Sequence, residues 1–146
     1  MKRYGNPPIA GKKYIRRPGA YVILPVGHDQ VLLTVQNGPV PDFQLPGGGI
    51  DPGEHVIPAL HREVLEETGW VIAQPKYLGA YKRYVYMPEY DLWAEKICAI
   101  YTARPCYQLH PPLEPDHIEM VMPMNVAVDL LGSAGDRDYL RAFAGV

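Results

Sequence analysis

Cysteine is scarce in this chain. Cys98 and Cys106 are the only two, with no Cys-x-x-Cys pair and no cysteine–histidine cluster. Neither a disulfide framework nor a structural zinc site is expected, and free thiols in a reducing cytoplasm are the default. Long apolar runs are missing as well. No stretch approaches the roughly 18 apolar residues of a membrane span, so no membrane association is expected. Met1-Lys2-Arg3 starts as a signal peptide does, but Tyr4-Gly5-Asn6-Pro7-Pro8 follows where an apolar run is needed. The expectation is a soluble cytoplasmic protein. Excess charge is also missing: a net charge of −2 does not advertise nucleic-acid binding. There are no internal repeats and no low-complexity tracts.

What is present suffices for one domain. The 146 residues can bury a real core but are too few for two ordinary domains. With 47% apolar and 21% charged residues, the composition is globular rather than disordered. Basic residues crowd the start (Lys2, Arg3, Lys12, Lys13, Arg16, Arg17), whereas Asp and Glu dominate after residue 110. Residues 1–18 therefore read as a basic N-terminal arm or lead-in, and residues 19–146 as the single domain. One reading of the arm is a solvated, mobile tail. The other is that Arg16 or Arg17 reaches a substrate phosphate, and the basic arm also keeps an RNA end open as a ligand.

Hydropathy patterning places strands at Tyr21–Val26, Gln30–Gln36 and Phe43–Leu45, the first two forming a hairpin through Gly27-His28-Asp29. A helix is expected from about Val56 or Ile57 to Gly69, with Pro58 in its first turn and Leu60, Val64 and Leu65 on its buried face. Val71–Ala73, Tyr77–Met87 and Trp93–Ala103 read as strands, the last two an antiparallel pair joined through Pro88–Asp91. Arg104–Pro115 reads as a Pro-rich loop and His117–Met122 as a final strand. Val126–Leu131 reads as a short helix, and Asp136 as the cap of a last helix ending near Phe143. Strands interspersed with a few helices predict an α/β chain whose mixed sheet carries helices on both faces.

The stretch from Gly47 to Trp70 carries the chemistry. A Gly47-Gly48-Gly49 turn precedes a helix bearing Glu63, Glu66 and Glu67. Offsets of three and four residues put these carboxylates on one helix face, where like charges repel by a few tenths of a kcal/mol per pair. A divalent cation against that face relieves the repulsion, and all-oxygen donors suit Mg²⁺ or Mn²⁺. The glycines let backbone carbonyls approach an ion. No Gly-Lys-Ser/Thr follows them, which removes a phosphate-cradling P-loop.

Gly48, five residues, Glu54, seven residues, then Arg62-Glu63-Val64-Leu65-Glu66-Glu67-Thr68-Gly69 resembles the box of the Nudix hydrolases. All seven single-residue positions match, about a one-in-10⁸ coincidence at ordinary residue frequencies. The ninth position of the terminal run, normally aliphatic, holds Trp70, so altered packing behind the helix is expected. The resemblance implies an α/β/α sandwich with a mixed, largely antiparallel central sheet. It also implies metal-dependent hydrolysis of a pyrophosphate linkage in a nucleoside diphosphate joined to another moiety. Glu63, Glu66, Glu67 and the Gly47 carbonyl would hold Mg²⁺ or Mn²⁺. One of these glutamates or Glu54 would serve as base, and Arg62 would pair with Glu54. Glu119, with Glu114 and Asp116 nearby, lies where relatives hold a further acidic ligand. His55 and His61 flank the cluster as surface or outer residues.

Lys82, Tyr84 and Tyr86 alternate along a strand opposite Tyr81, Arg83 and Val85. The first set, with Arg17, is the candidate substrate-binding group: aromatic faces for a base and cations for phosphates. Half-buried strand tyrosines are the alternative. Within the family Tyr86 matches a marker of dinucleoside polyphosphate hydrolysis, and Pro88 lies near one of ADP-ribose hydrolysis. The leading substrate is a (deoxy)nucleoside triphosphate, including an oxidised one, or a dinucleoside polyphosphate. ADP-ribose or a nucleotide sugar is the enzyme alternative, and a non-catalytic nucleotide-binding sensor the alternative of another class. A homodimer through Trp93 and the tyrosine-rich strands is a candidate assembly.

Overall fold

The computed structural model describes residues 1–146. Its centre is a sheet built by the β-branched and apolar stretches, in chain order β1 (Lys2–Arg3), β2 (Ile15–Val26), β3 (Gln30–Gln36), β4 (Asp42–Gln44) and β5 (Gly47–Gly49), then after a helix β6 (Trp70–Met87), β7 (Leu92–Gln108) and β8 (His117–Pro123). Helix α1 (Val56–Thr68) follows β5, and α2 (Met124–Leu130) and α3 (Ala134–Ala144) close the chain. The strand order is β1-β6-β7-β2-β3-β4, with β5 pairing β2 and β8 pairing β3. Only β1–β6 and β2–β7 run parallel. The sheet is thus mixed and largely antiparallel, as expected, with helices on both sides.

Alternation along β2 divides the core. Ala20, Val22 and Leu24 point toward α1, whose Leu60 and Val64 complete a buried cluster with Leu32, Ile72, Tyr101 and Ala103. Ile23, on the other face, joins Leu33, Tyr81, Cys98 and Ile100 under α2 and α3, which contribute Ala127, Val128 and Leu140. Leu60 and Val64 are fully buried, each worth about 1.5–3 kcal/mol in apolar burial. Leu65, expected beside them, is only half-buried.

Several boundaries differ from those expected. β2 begins at Ile15 rather than Tyr21, because residues 15–23 add in parallel to residues 94–102 of β7. β7 runs on to Gln108, so Arg104–Gln108 is strand and the loop starts only at Leu109. Val71–Ala73 and Tyr77–Met87 are one strand of 18 residues, interrupted by register shifts at Val71/Ile72, Ala73/Lys76 and Tyr77/Gly79. Gln74, with a positive φ of 55°, and Pro75 sit in the second of these, so the turn-like residues mark bulges rather than strand ends. Asp136 does not cap α3. Ser133 is the N-cap, and Asp136 sits buried in the first turn, accepting the Tyr81 hydroxyl at 2.7 Å. The N-terminal segment lies on the sheet: β1 pairs with Tyr81 and Lys82, and Tyr4 packs edge-on against Tyr81 at 5.2 Å between ring centroids. Both cysteines are free, Cys98 buried and Cys106 exposed. No helix is long and apolar enough to cross a membrane.

Candidate active site

Gly47–Gly49 pairs antiparallel with Gly19–Tyr21 of β2, which brings the start of the box against the centre of the sheet. Gly47 has φ of 145°, and a Cβ there would run into the Ala20 carbonyl. The chain then loops through Asp51–His55 into α1, which ends at Gly69 in the left-handed conformation (φ 76°), its N–H on the Leu65 carbonyl at 2.8 Å. These two glycine positions fix the helix against the face of the sheet.

Arg62 holds loop and helix together. Its Nε and Nη2 donate to the two oxygens of Glu54 at 2.7 and 2.8 Å, the expected pairing in a bidentate form. Nη2 also reaches the Gly49 carbonyl at 3.3 Å, and Nη1 donates to Glu63 at 3.0 Å and toward Glu66 at 3.4 Å. The guanidinium hydrogen bonds, joined by the Asp51 N–H, hold the Glu54 carboxyl down at about 2. In this arrangement Glu54 clamps the loop to the helix through Arg62.

Glu67 and Glu63 behave oppositely. Glu67 is only 7% exposed, and one of its oxygens is buried without a hydrogen-bond partner. Burial pushes its carboxyl up to about 8, aided by the charges of Glu114 and Glu63 and opposed by hydrogen bonds from the Thr34 hydroxyl and the Gly47 N–H. Glu63 is raised too, by burial first and by Glu66 and Glu114 after it, with Arg62 pulling it back. Its carboxylate occupies the place a Gly48 side chain would take, so any side chain there would push Glu63 aside. Glu66 is the more open, its side chain 41% exposed.

A cation fits this donor set by its hard oxygen chemistry and by the orphaned buried oxygen of Glu67. No three His, Cys, Asp or Glu side chains are gathered closely enough to grip an ion together. Arg62 stands among the carboxylates and takes Glu63 and Glu66 as partners instead.

Glu119 lies opposite Thr34 on the neighbouring strand. Its carboxylate is taken by neutral donors: Trp70 Nε1 at 2.8 Å and Gln108 Nε2 at 2.6 Å. Trp70 is thus a tie to β8 as well as an apolar plug. The acid whose charge bears on Glu63 and Glu67 is Glu114, in the loop whose Leu113 N–H docks on the Glu66 carbonyl at 3.1 Å. His55 is exposed and His61 half-buried, and neither is tied into this network.

Beside the glutamates a cleft of about 780 Å³ is lined by Arg17, Tyr21, Glu54, Glu63, Tyr90 and Lys96. Its size is within the ~300–1,000 Å³ usual for small-molecule sites. Arg17 enters it as expected, its guanidinium 4.5 Å from the Tyr90 ring centroid. Lys82, Tyr84 and Tyr86 do not enter it. Tyr84 donates to Glu95 at 2.9 Å and packs against Tyr14, Lys82 lies 4.0 Å from Glu95, and Tyr86 bonds to Asp91. They face the opposite side of the sheet. A smaller, deeper pocket opens instead around Arg83, Tyr81, Phe43 and Asp136, and Lys96 lines both chambers. Arg83 and Lys96 were not singled out from the sequence, although alternation had put Arg83 opposite Lys82.

Comparison with known proteins agrees with this arrangement. Residues 15–143 match the NUDIX domain. A putative 8-oxo-dGTP diphosphatase of Bacillus subtilis (strain 168) is 41% identical over 75 residues. That match covers 51% of this chain and 50% of the relative, so the chain spans about half the length of that protein. Among solved structures, the MutT protein of Bacillus halodurans superposes with a TM-score of 0.68 at 22% identity, over 89% of this chain and 83% of that one. The MutT protein of Methanosarcina mazei Go1 gives 0.68 at 19% identity, over 90% and 94%. Identities this low speak for the fold alone. With the profile match running from β2 to the end of α3, and with the glycine turn, the clamping arginine and the glutamate face all in place on that fold, the chain belongs to the NUDIX domain family.

Proposed function

We propose that this protein hydrolyses a pyrophosphate linkage of a nucleoside triphosphate, with an oxidised deoxynucleoside triphosphate of the 8-oxo-dGTP type as leading substrate. The observation that carries the reading is the glutamate face of α1 beside a nucleotide-sized cleft, with one buried oxygen of Glu67 left without a partner. The name of the Bacillus subtilis relative supports the choice of substrate. Glu63, Glu66, Glu67 and the Gly47 carbonyl would hold Mg²⁺ or Mn²⁺. Such an ion neutralises phosphate charge and lowers the pKa of a bound water.

The remaining steps belong to the chain's own groups. Glu63 lines the cleft, and one carboxylate of this glutamate face takes the proton of the attacking water. The water oxygen bonds to phosphorus, the bridging P–O bond breaks and pyrophosphate leaves. Arg62 and Glu54 keep the loop against the helix so that Glu63 stays aimed into the cleft. Arg17, stacked on Tyr90 at the cleft wall, offers a guanidinium to the departing phosphates.

The test is product analysis on a panel with Mg²⁺ or Mn²⁺: dGTP, 8-oxo-dGTP, diadenosine tetraphosphate, ADP-ribose, a nucleotide sugar and capped RNA. The expected result is monophosphate plus pyrophosphate, formed fastest from 8-oxo-dGTP. Preferential cleavage of ADP-ribose would move the substrate class. Tight nucleotide binding with no turnover across the panel would mark a sensor instead.

A further inference from the structure

Arg83 on β6 and Lys96 on β7 are direct cross-strand partners in an antiparallel pair. Both are half-buried, and both line the deep pocket. Like charges directly opposite each other destabilise a sheet, and burying a cation without a partner costs more. The charges of Asp136 and Glu89 offset this only in part, from beyond ion-pair distance. Neither residue makes a salt bridge, and Arg83 Nε is buried with no hydrogen-bond partner. Asp136, the nearby buried acid, has an oxygen engaged by the Tyr81 hydroxyl at 2.7 Å. Elsewhere basic side chains do find acids: Arg16 takes Glu95 at 2.9 Å, Arg62 takes Glu54, and Arg141 takes Asp129 at 3.3 Å. Burial and the charge of Arg83 depress the Lys96 ammonium, as expected of a cation waiting for an anion. Arg83 lines the inner pocket alone, whereas Lys96 also lines the wide cleft that holds Glu63, so the pair stands at the wall the two share.

We propose that Arg83 and Lys96 form a seat for a phosphate of the nucleotide chain, placed between the glutamate face and the inner pocket. The assignment rests on the nucleotide reading given above and adds to it the residues that hold the oligophosphate from the sheet side. A phosphate between the two cations relieves their repulsion and satisfies Arg83 Nε in a single contact. The pair is a binding feature maintained at the expense of stability, and that gives it a signature an ordinary structural arginine would lack.

Titration calorimetry with Mg²⁺ present, using pyrophosphate, α,β-imido-dGTP and 8-oxo-deoxyguanosine as probes, tests the proposal on Arg83→Gln, Lys96→Gln and Lys96→Arg. Either glutamine variant should weaken pyrophosphate and imido-dGTP binding by about tenfold or more, leave the uncharged nucleoside unaffected, and keep or raise the ligand-free thermal midpoint. Lys96→Arg should restore most of the affinity. Unchanged pyrophosphate affinity would overturn the seat, as would loss confined to the nucleoside, or a lowered midpoint with affinity intact. Should Arg83→Gln not fold, the Lys96 pair of variants decides alone. Binding is read without turnover, so the two claims fail separately. Hydrolysis with unaltered variant affinities would remove only the seat, and lost affinity in a protein that hydrolyses nothing would remove only the reaction.

Discussion

Carboxyl groups on the loop and on the helix that follows it are driven in opposite directions by their surroundings. Glu54, at the exposed loop, is held at about 2 by the Arg62 fork, and Glu67, under the sheet, is lifted to about 8 by burial. The sign for stability follows. Between the ordinary carboxyl value of 4.5 and about 8 the folded chain keeps a proton on Glu67 that the unfolded chain has lost. Folding stability of the metal-free protein should therefore fall as pH rises through that window. Glu67→Gln cannot lose the proton and should flatten the dependence, and urea midpoints measured from pH 5 to 8 check this. Glu54 works the other way: its pairing with Arg62 holds above its ordinary value and is lost only as pH falls toward about 2. At Gly48 even a methyl group would displace the Glu63 carboxylate. Gly48→Ala should cut kcat by at least about tenfold while far-UV circular dichroism stays native.

At the scale of elements, the loop before α1 depends on one side chain. Arg62→Met removes the bidentate contact to Glu54 and the link to the Gly49 carbonyl. The Asp51 amide, which donates to Glu54, and the Glu54 amide, on the Asp51 carbonyl, should then exchange about tenfold faster. Amides around Leu60 and Val64 should be unaffected, because the helix keeps its buried face. This element was the most legible in the sequence. The Gly47–Gly49 turn, the helix limits, the stop at Gly69 and the Arg62–Glu54 pair all follow from local residue chemistry. The neighbouring strands were less legible, because Gln74-Pro75 and Gly79 interrupt a pattern that cross-strand pairing with β7 carries through. Face assignment failed for a related reason. Alternation correctly separated Lys82 and Tyr84 from Tyr81 and Arg83, but which side met the cleft depended on where α1 and α3 landed. The partners of Glu119 were not legible, because Trp70 and Gln108 lie on other strands.

Over the whole molecule, the chain's first residues are part of the packing. Tyr4 packs on Tyr81 and donates to Asp138 at 2.8 Å, and Lys12 lies 3.6 Å from the Trp93 ring centroid. An aromatic pair and a charge-assisted hydrogen bond are together worth about 1–3 kcal/mol. Removing residues 1–12 should therefore lower the thermal midpoint by roughly 3 °C or more, with little change in catalysis, since the glutamate face and Arg17 remain. Composition alone favoured a mobile tail for this segment, because the contacts that hold it come from α3 and the β6–β7 hairpin, far along the chain.

On the proposed reading, the α1 glutamates and a divalent cation together cleave a nucleotide pyrophosphate bond. Its most direct test is pyrophosphate release from 8-oxo-dGTP as Mg²⁺ is titrated into the wild-type chain and into Glu66→Gln. Glu66 is the most open of the three helix glutamates, so its loss should spare the fold. Saturable, cation-dependent release is expected from the wild type, and a fall in kcat of about 100-fold or more in the variant, with an unaltered thermal midpoint. Release that ignores the cation, or near-normal turnover in a folded Glu66→Gln, would contradict it.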